Sequence, residues 1–335
     1  MIETDDYMTN RVMTSDYPED YTPVRKNCQN KHELCSIWAV EGLCDPTNEH
    51  YDFMKLQCAP ACQTCELIDI SVRCPVPEDA VDAIDPSGGD NGLNAIFERI
   101  VGERDITEVQ QNEGFEHLTY KTVVHSRPSY DSDHDTAPWV VALENFLTPE
   151  ECDRLIELGE EHGYERSTEV SDDEEHEDFI SERRTSETAW CGGKCGEDSI
   201  VMRIHEKIAL ATGVPFVNSE YLQLLRYEAG HFYEPHHDLI NHQMKTPTGP
   251  RLVTVFLYLN DVEEGGKTRF TKLMNYGKQL EIQPKKGTAL LWPNVMDGNV
   301  YEVDPRTEHE ALVVEKGTKY GANAWLHVRE YEVCE

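Results

Sequence analysis

No stretch of this 335-residue sequence approaches the ~18 consecutive apolar residues that a membrane-crossing helix requires, so no membrane span is expected. Positive charge is scarce: 30 Lys and Arg stand against 64 Asp and Glu, a formal net charge of −34. That deficit argues against nucleic acid as a partner, because backbone neutralisation needs clustered cations, and fits a basic or neutral polypeptide better. The opening residues, MIETDDYMTN, contain neither a cationic nor an apolar segment, so no signal peptide is visible. Asn-x-Ser/Thr sequons and a KDEL-like ending are also absent, and neither can speak for a secretory route. Apolar residues at 39% and aromatics at 9% allow a folded core but are lean for the whole length, so part of the chain is expected to be disordered.

Cysteine is plentiful by contrast. Six of the eleven (Cys28, Cys35, Cys44, Cys58, Cys62 and Cys65) crowd into one short stretch. Such density reads as a disulfide framework made in an oxidising compartment. The expected location is therefore the endoplasmic reticulum and secretory pathway, and a segment preceding this sequence would reconcile that with its plain beginning.

Four regions follow. Residues 1–25 read as a disordered acidic tail and 26–66 as the disulfide module. Residues 67–130 read as linker, because PVPEDAVDAIDPSGGDNG is rich in turn formers, with a short helix possible from Leu93 to Ile100. Residues 131–335 form the larger domain, its strand-rich core covering about 218–330. There, Thr148-Pro149-Glu150-Glu151 is a helix start, with Thr as N-cap, Pro at the first position and Glu at the capping-box position. A second helix is expected over Ser199–Thr212. Short strands follow at Tyr221–Tyr227, Leu252–Leu259, Thr288–Trp292 and Ala322–Val328, with EEGG and PKKG as turn signals. Helices followed by many short strands predict a β-sandwich or jelly roll with helical buttressing.

The densest chemistry lies in RYEAGHFYEPHHDLI. In His236-x-Asp238 a strand would place residues i and i+2 on one face, where an imidazole and a carboxylate can take two positions on one metal. His309, from a distant strand, can supply a third. Two His and one carboxylate leave three octahedral positions open, as non-haem iron(II) oxygenases require for a bidentate cosubstrate and dioxygen. His237 and His231 are rivals as ligands, and both read as partly exposed polar neighbours. Lys319 lies ten positions after His309 and can form a charge-assisted pair with the far carboxylate of 2-oxoglutarate.

The stretches RRTSETAW, LQLLRYEAGHFYEPHHD, RLVTVFLYLNDVEEGGKTRF, PKKGTALLW and AWLHVREY resemble the catalytic domain of prolyl 4-hydroxylases, in the family's order from about residue 139 to 332. The resemblance implies a mainly β fold with flanking helices (α+β), a double-stranded β-helix dioxygenase core. It implies that His236, Asp238 and His309 bind Fe(2+), and that Lys319 pairs with 2-oxoglutarate. Tyr227 and Thr254 would line the cosubstrate pocket. Tyr233 and Trp325 would border the peptidyl proline, and Arg184 would hold the peptide or order the loop over it. The implied reaction uses O2, converts 2-oxoglutarate to succinate and CO2, and leaves 4-hydroxyproline in a proline-containing polypeptide, with L-ascorbate restoring oxidised iron. Hydroxylation of another residue such as lysine, or a catalytically silent peptide-binding protein, are the alternatives. The chain departs from the family at His309-Glu310-Ala311, where small Gly-Gly commonly follows the histidine, and in the acidic SDDEEHEDF (171–179), expected to close over a basic-flanked peptide or to be a solvated loop. Cys191-Gly-Gly-Lys-Cys195 reads either as a small disulfide clamp or as two free thiols.

The segment from Cys28 to Cys65 resembles the ShK toxin-like domain, including Trp38-Ala39 and its closing C-x3-C-x2-C. That resemblance implies pairings 28–65, 35–58 and 44–62. A redox or zinc role for Cys62-x-x-Cys65 lacks the βαβ context or second CxxC it would need. Protein or substrate docking is the expected role of the module.

Overall fold

The computed structural model describes residues 28–102, 120–128, 137–169, 180 and 182–331. The acidic tail, the 171–179 segment and Cys334 lie outside the described residues. The chain divides into two units, one of residues up to Ala80 and the other from Val81 to Tyr331 apart from residues 245–247.

In the first unit, α1 (Cys35–Val40), α2 (Tyr51–Gln57), α3 (Ala59–Cys62) and α4 (Ile70–Arg73) are too short to be stable alone. Disulfides join Cys28 to Cys65, Cys35 to Cys58 and Cys44 to Cys62. The buried cluster is Cys35, Ala39, Met54, Cys58 and Ala61, so the crosslinks themselves form much of the core. Removing one such bridge from a small domain typically costs about 2–5 kcal/mol.

The second unit carries α5 (Leu93–Gly102), α6 (Pro149–His162) and α7 (Ser199–Thr212). Its strands are β1 (Lys121–Ser126), β2 (Val140–Glu144), β3 (Glu165–Arg166), β4 (Glu187–Trp190), β5 (Gln223–Tyr227), β6 (Tyr233–His236), β7 (Arg251–Tyr258) and β8 (Glu264–Gly265). They continue with β9 (Thr268–Asn275), β10 (Lys278–Ile282), β11 (Ala289–Pro293), β12 (Val295–Met296), β13 (Asn299–Val303), β14 (His309–Ala311), β15 (Val314–Lys316) and β16 (Lys319–His327). One sheet runs β1-β2-β11-β7-β16-β5-β4-β3, and a smaller one runs β10-β9-β14-β6. This is the expected jelly-roll arrangement with helical buttressing.

The continuous apolar run of β7 explains the layering. Every residue of β7 is buried, and alternate side chains enter different cores. Val253, Val255 and Leu257 join the cluster that includes Leu155 of α6 and Ile204 of α7. Phe256 and Tyr258 join Phe270 of β9 and Trp292 of β11 between the sheets. The chain enters α6 through the expected capping box, with Glu151 N–H donating to Thr148 Oγ1 at 3.2 Å and Thr148 N–H to Glu151 Oε2 at 2.9 Å.

The linker expectation needs correcting. In α5, Leu93, Ile96, Phe97 and Ile100 are buried in the main core; each such side chain contributes about 1.5–3 kcal/mol of transfer free energy. β1 likewise pairs with β2. The short helix expected from Leu93 to Ile100 is present at Leu93–Gly102, and its apolar spacing at positions 93, 96, 97 and 100 marks the face it buries. In EEGG, Gly265 and Gly266 take φ of +77° and +66°, the left-handed turn conformation that glycine allows without strain.

Candidate active site

His236 ends β6 and His309 begins β14, and the two residues are antiparallel partners. Register alone therefore brings both imidazoles to one face, with ring centroids 4.4 Å apart. The i, i+2 strand expectation fails at Asp238. β6 stops at His236 and Asp238 lies in a bend beyond it, where Arg251 Nη1 donates to the Asp238 carbonyl at 3.1 Å. The carboxylate nonetheless arrives: Asp238 Oδ2 is 3.7 Å from His309 Nε2, and Oδ1 is 4.0 Å from His236 Nε2. One ligand atom from each of His236, Asp238 and His309 lies within 4.8 Å of the others.

The surrounding groups fix these orientations. His236 Nδ1 sits 2.8 Å from the Glu234 carbonyl and His309 Nδ1 3.0 Å from the Thr307 carbonyl. Both contacts place the proton on Nδ1 and leave Nε2 with its lone pair free. Thr254 Oγ1 donates to Asp238 Oδ2 at 2.7 Å, and Asn294 Nδ2 donates to Thr254 Oγ1 at 2.9 Å. Thr254 is thus fully buried behind the carboxylate and absent from the cavity wall expected of it. Burial opposes ionisation of Asp238, but the facing His309 and His236 and the Thr254 hydrogen bond overcome it and hold the carboxyl below its ordinary range. Burial and the neighbouring His309 push the His236 imidazole well down, towards the neutral form that binds a metal.

His236, Asp238 and His309 line a cavity of about 630 Å³. Lys319 of β16 also lines it and is only 1% exposed. Its Nζ sits 5.2 Å from the Tyr227 and Phe256 ring centroids and 5.7 Å from that of Tyr258. Desolvation pushes its ammonium down to about 7, and no carboxylate pairs with it among the described residues. Gly321 makes room for this aromatic box, since a Cβ there would meet Phe256 Cζ at 2.5 Å. Tyr227 lines the same cavity and pairs with Lys319 across β5 and β16.

Tyr233 stacks on His236 with centroids 3.6 Å apart, and the Arg184 guanidinium lies 4.7 Å over the Tyr233 ring. Arg184 is buried, and donates to Ser186 Oγ, the Thr168 carbonyl and Gln223 Oε1 at 3.1, 3.1 and 3.3 Å. Trp325 borders the cavity with its indole N–H buried and without a hydrogen-bond partner among the described residues. His237 also lines the cavity but stands outside the three-ligand set, and His231 Nδ1 accepts from Glu228 N–H at 3.2 Å. At the unusual His309-Glu310-Ala311, Glu310 reaches Arg269 Nε at 2.7 Å while β14 keeps its place between β9 and β6. The open alternative for Cys191 and Cys195 resolves as a disulfide.

Sequence reasoning missed a buried network. Arg251 meets Glu220 through Nε and Nη2 at 2.6 and 2.9 Å, and its guanidinium stacks 3.6 Å from the Trp325 centroid. His327 Nε2 lies 2.6 Å from the same Glu220. Burial opposes ionisation of Glu220, yet Arg251 and His327 hold it down at about 2. Arginine at the head of an apolar strand was the visible signal, but its acidic partner lies 31 residues away.

Two histidines and an aspartate facing a cavity with a lysine that has no carboxylate partner among the described residues suit a non-haem iron oxygenase site, and the family and relative matches agree. Residues 222–327 match the 2OG-Fe(II) oxygenase superfamily, and residues 27–65 match the ShK domain-like family. The chain is 38% identical over 212 residues to "Probable prolyl 4-hydroxylase 10" of Arabidopsis thaliana, covering 58% of this chain and 71% of that one. It is 36% identical to Prolyl 4-hydroxylase 5 of the same plant, covering 58% and 70%. Among solved structures, the viral collagen prolyl hydroxylase of Paramecium Bursaria Chlorella virus-1, in its 2OG complex, aligns at 28% identity and TM-score 0.45 over 56% of this chain and 96% of that one. The chain belongs to the prolyl 4-hydroxylase family of 2-oxoglutarate-dependent dioxygenases.

Proposed function

We propose that this protein hydroxylates C4 of proline in a polypeptide substrate. His236, Asp238 and His309 would hold iron(II), and their donor set suits it: two neutral imidazole nitrogens and one carboxylate leave positions for a cosubstrate and O2. Lys319 would receive the far carboxylate of 2-oxoglutarate, and the observation that carries this reading is its buried ammonium, which has no counter-ion among the described residues and lines the same cavity as the three ligands. Loaded with these partners, the site supplies oxidising power that places one oxygen atom of O2 on proline C4 and the other in succinate, with release of CO2.

The chain's own residues do the positioning. Tyr227, Phe256 and Tyr258 shield the Lys319 pair from water, which strengthens it. Thr254 and Asn294 keep the Asp238 carboxylate aimed at the imidazoles. Tyr233 and Trp325 bracket the proline ring. Arg184 supports Tyr233 from behind. Ascorbate is assigned the rescue of oxidised metal. The described disulfides fit maturation in an oxidising compartment, for which we assign the endoplasmic reticulum, and the ShK-like module is assigned a docking role. A proline peptide incubated with the protein, iron(II), 2-oxoglutarate and air tests the reading by mass spectrometry. A +16 shift on proline is expected, lowered by at least about 10³-fold in His309→Ala; succinate release without any peptide product would discard the substrate.

A further inference from the structure

The strand that delivers His309 is β14, and at three residues it has little backbone of its own to hold it in place. On one side it meets β6, a four-residue edge strand whose register with it shifts between His309 and Ala311. On the other side it meets β9, where His309 faces Phe270, Glu310 faces Arg269 and Ala311 faces Thr268. Successive strand residues point to opposite faces. His309 is therefore buried in one row with Phe270 and Leu280, and Glu310 turns to the other face with Arg269 and Glu281.

That second row is ionic. Arg269 Nε donates to Glu310 Oε1 at 2.7 Å, and Arg269 Nη1 lies 4.0 Å from Glu281 Oε1. The Glu310 side chain is only 12% exposed, so salt screens its pair with Arg269 weakly. The residue before His309 is held by the same strand. Glu308 accepts from the Thr271 hydroxyl, its carbonyl accepts from Thr271 N–H at 3.0 Å, and Lys272 Nζ lies 3.3 Å from Glu308 Oε1. An acid thus stands on each side of His309, and a cation of β9 answers each one. Glu310 occupies the place where the family commonly has glycine, which has no side chain to make such a contact.

We infer that Glu310 and Glu308 are positioning residues for the metal. Their pairs with Arg269 and Lys272 clamp β14 onto β9, which keeps His309 Nε2 aimed at His236 and Asp238 and tightens the hold on the ion. This rests on the iron-site reading of those three residues. Groups that orient a ligand from behind are worth roughly 10–100-fold in metal affinity when they touch the ligand itself. Here the contact acts one residue away, through the backbone, so a smaller effect is expected.

Mn(II) binding to the full chain, followed by electron paramagnetic resonance, tests the clamp, with 2-oxoglutarate affinity at saturating metal as the companion readout. Glu310→Gln and Arg269→Gln should each raise the Mn(II) Kd by about 5–10-fold, and the double variant by no more than either alone, because all three lose one and the same contact. Glu308→Gln, whose cationic partner is more exposed, should cost only about 2–3-fold. Affinity for 2-oxoglutarate should stay within about 2-fold of wild type throughout, since Lys319 lies on another strand. Arg269→Lys, which keeps a cation opposite Glu310, should retain most of the metal affinity. Glu310→Gln keeps the shape of the side chain, and Arg269→Gln decides the matter should it fail to fold. A merely structural role would weaken both ligands in step. Tight Mn(II) binding by wild type that Glu310→Gln leaves unchanged, or additive losses in the double variant, overturns the clamp and keeps the iron-site reading. A wild type that binds no Mn(II) sinks that reading and takes the clamp with it.

Discussion

The two ends of the cavity are built on opposite principles. At the proposed metal corner each of the three side chains already has a partner that orients it: His236 on the Glu234 carbonyl, His309 on the Thr307 carbonyl, and Asp238 on Thr254. At the other end Lys319 stands among aromatic rings with its charge unanswered by any described carboxylate. The first end is arranged before anything binds, because a metal needs fixed lone pairs. The second is left in electrostatic deficit, because a buried ammonium without a counter-ion is costly and an arriving carboxylate relieves that cost. On the proposed reading, preorganisation would serve the metal ion, and deficit would serve the cosubstrate that must come and go.

Lys319→Met should break this comparison most severely. The KM for 2-oxoglutarate should rise at least about 100-fold, since a carboxylate would be buried unpaired, while metal affinity stays near wild type. The same change should stabilise the empty protein. The folded pKa of about 7 lies below the ordinary 10.5, so the ammonium destabilises the fold fully below pH 7 and progressively less as pH rises towards 10.5. The melting-temperature gain of the variant should therefore be largest at pH 6 and fade above pH 9, at roughly 2–4 °C per kcal/mol. A variant that melts lower than wild type at pH 6 would contradict the deficit.

Thr254→Val sharpens the other side. Losing the hydrogen bond to Asp238 should weaken Mn(II) binding, followed by electron paramagnetic resonance, by about 10–100-fold. Affinity for 2-oxoglutarate at saturating metal should change by less than about 3-fold. Equal losses of both affinities would mean that the two ends are not separately built.

Which parts were legible in the sequence follows the same physics. Local chemistry was readable: the capping box of α6, the β7 run and the glycine turns; the disulfide pairings that the module adopts are those its resemblance to the ShK-like domain implied. The His236, Asp238 and His309 set was readable because its residues carry the chemistry themselves. The partners that hold them were not. Thr254 reads as a strand residue, and only the packing of β7 against the loop after β6 shows its hydroxyl on Asp238. The Arg251–Glu220–His327 network spans up to 107 residues of sequence, so no local pattern announces it. The helix α5 was legible from its apolar spacing, but its burial in the main core was not, because the turn formers before it read as linker.

Proton uptake on binding 2-oxoglutarate tests the central claim most directly. Calorimetry on Mn(II)-loaded protein, in buffers of different ionisation enthalpy, counts the protons. At pH 8 an ammonium with a pKa of about 7 is mostly neutral and must be recharged by the arriving carboxylate, so uptake should approach one proton. At pH 6 it is already charged, and uptake should fall towards zero; Lys319→Met should show none at either pH. Binding at pH 8 without proton uptake would mean that Lys319 does not answer the cosubstrate's far carboxylate.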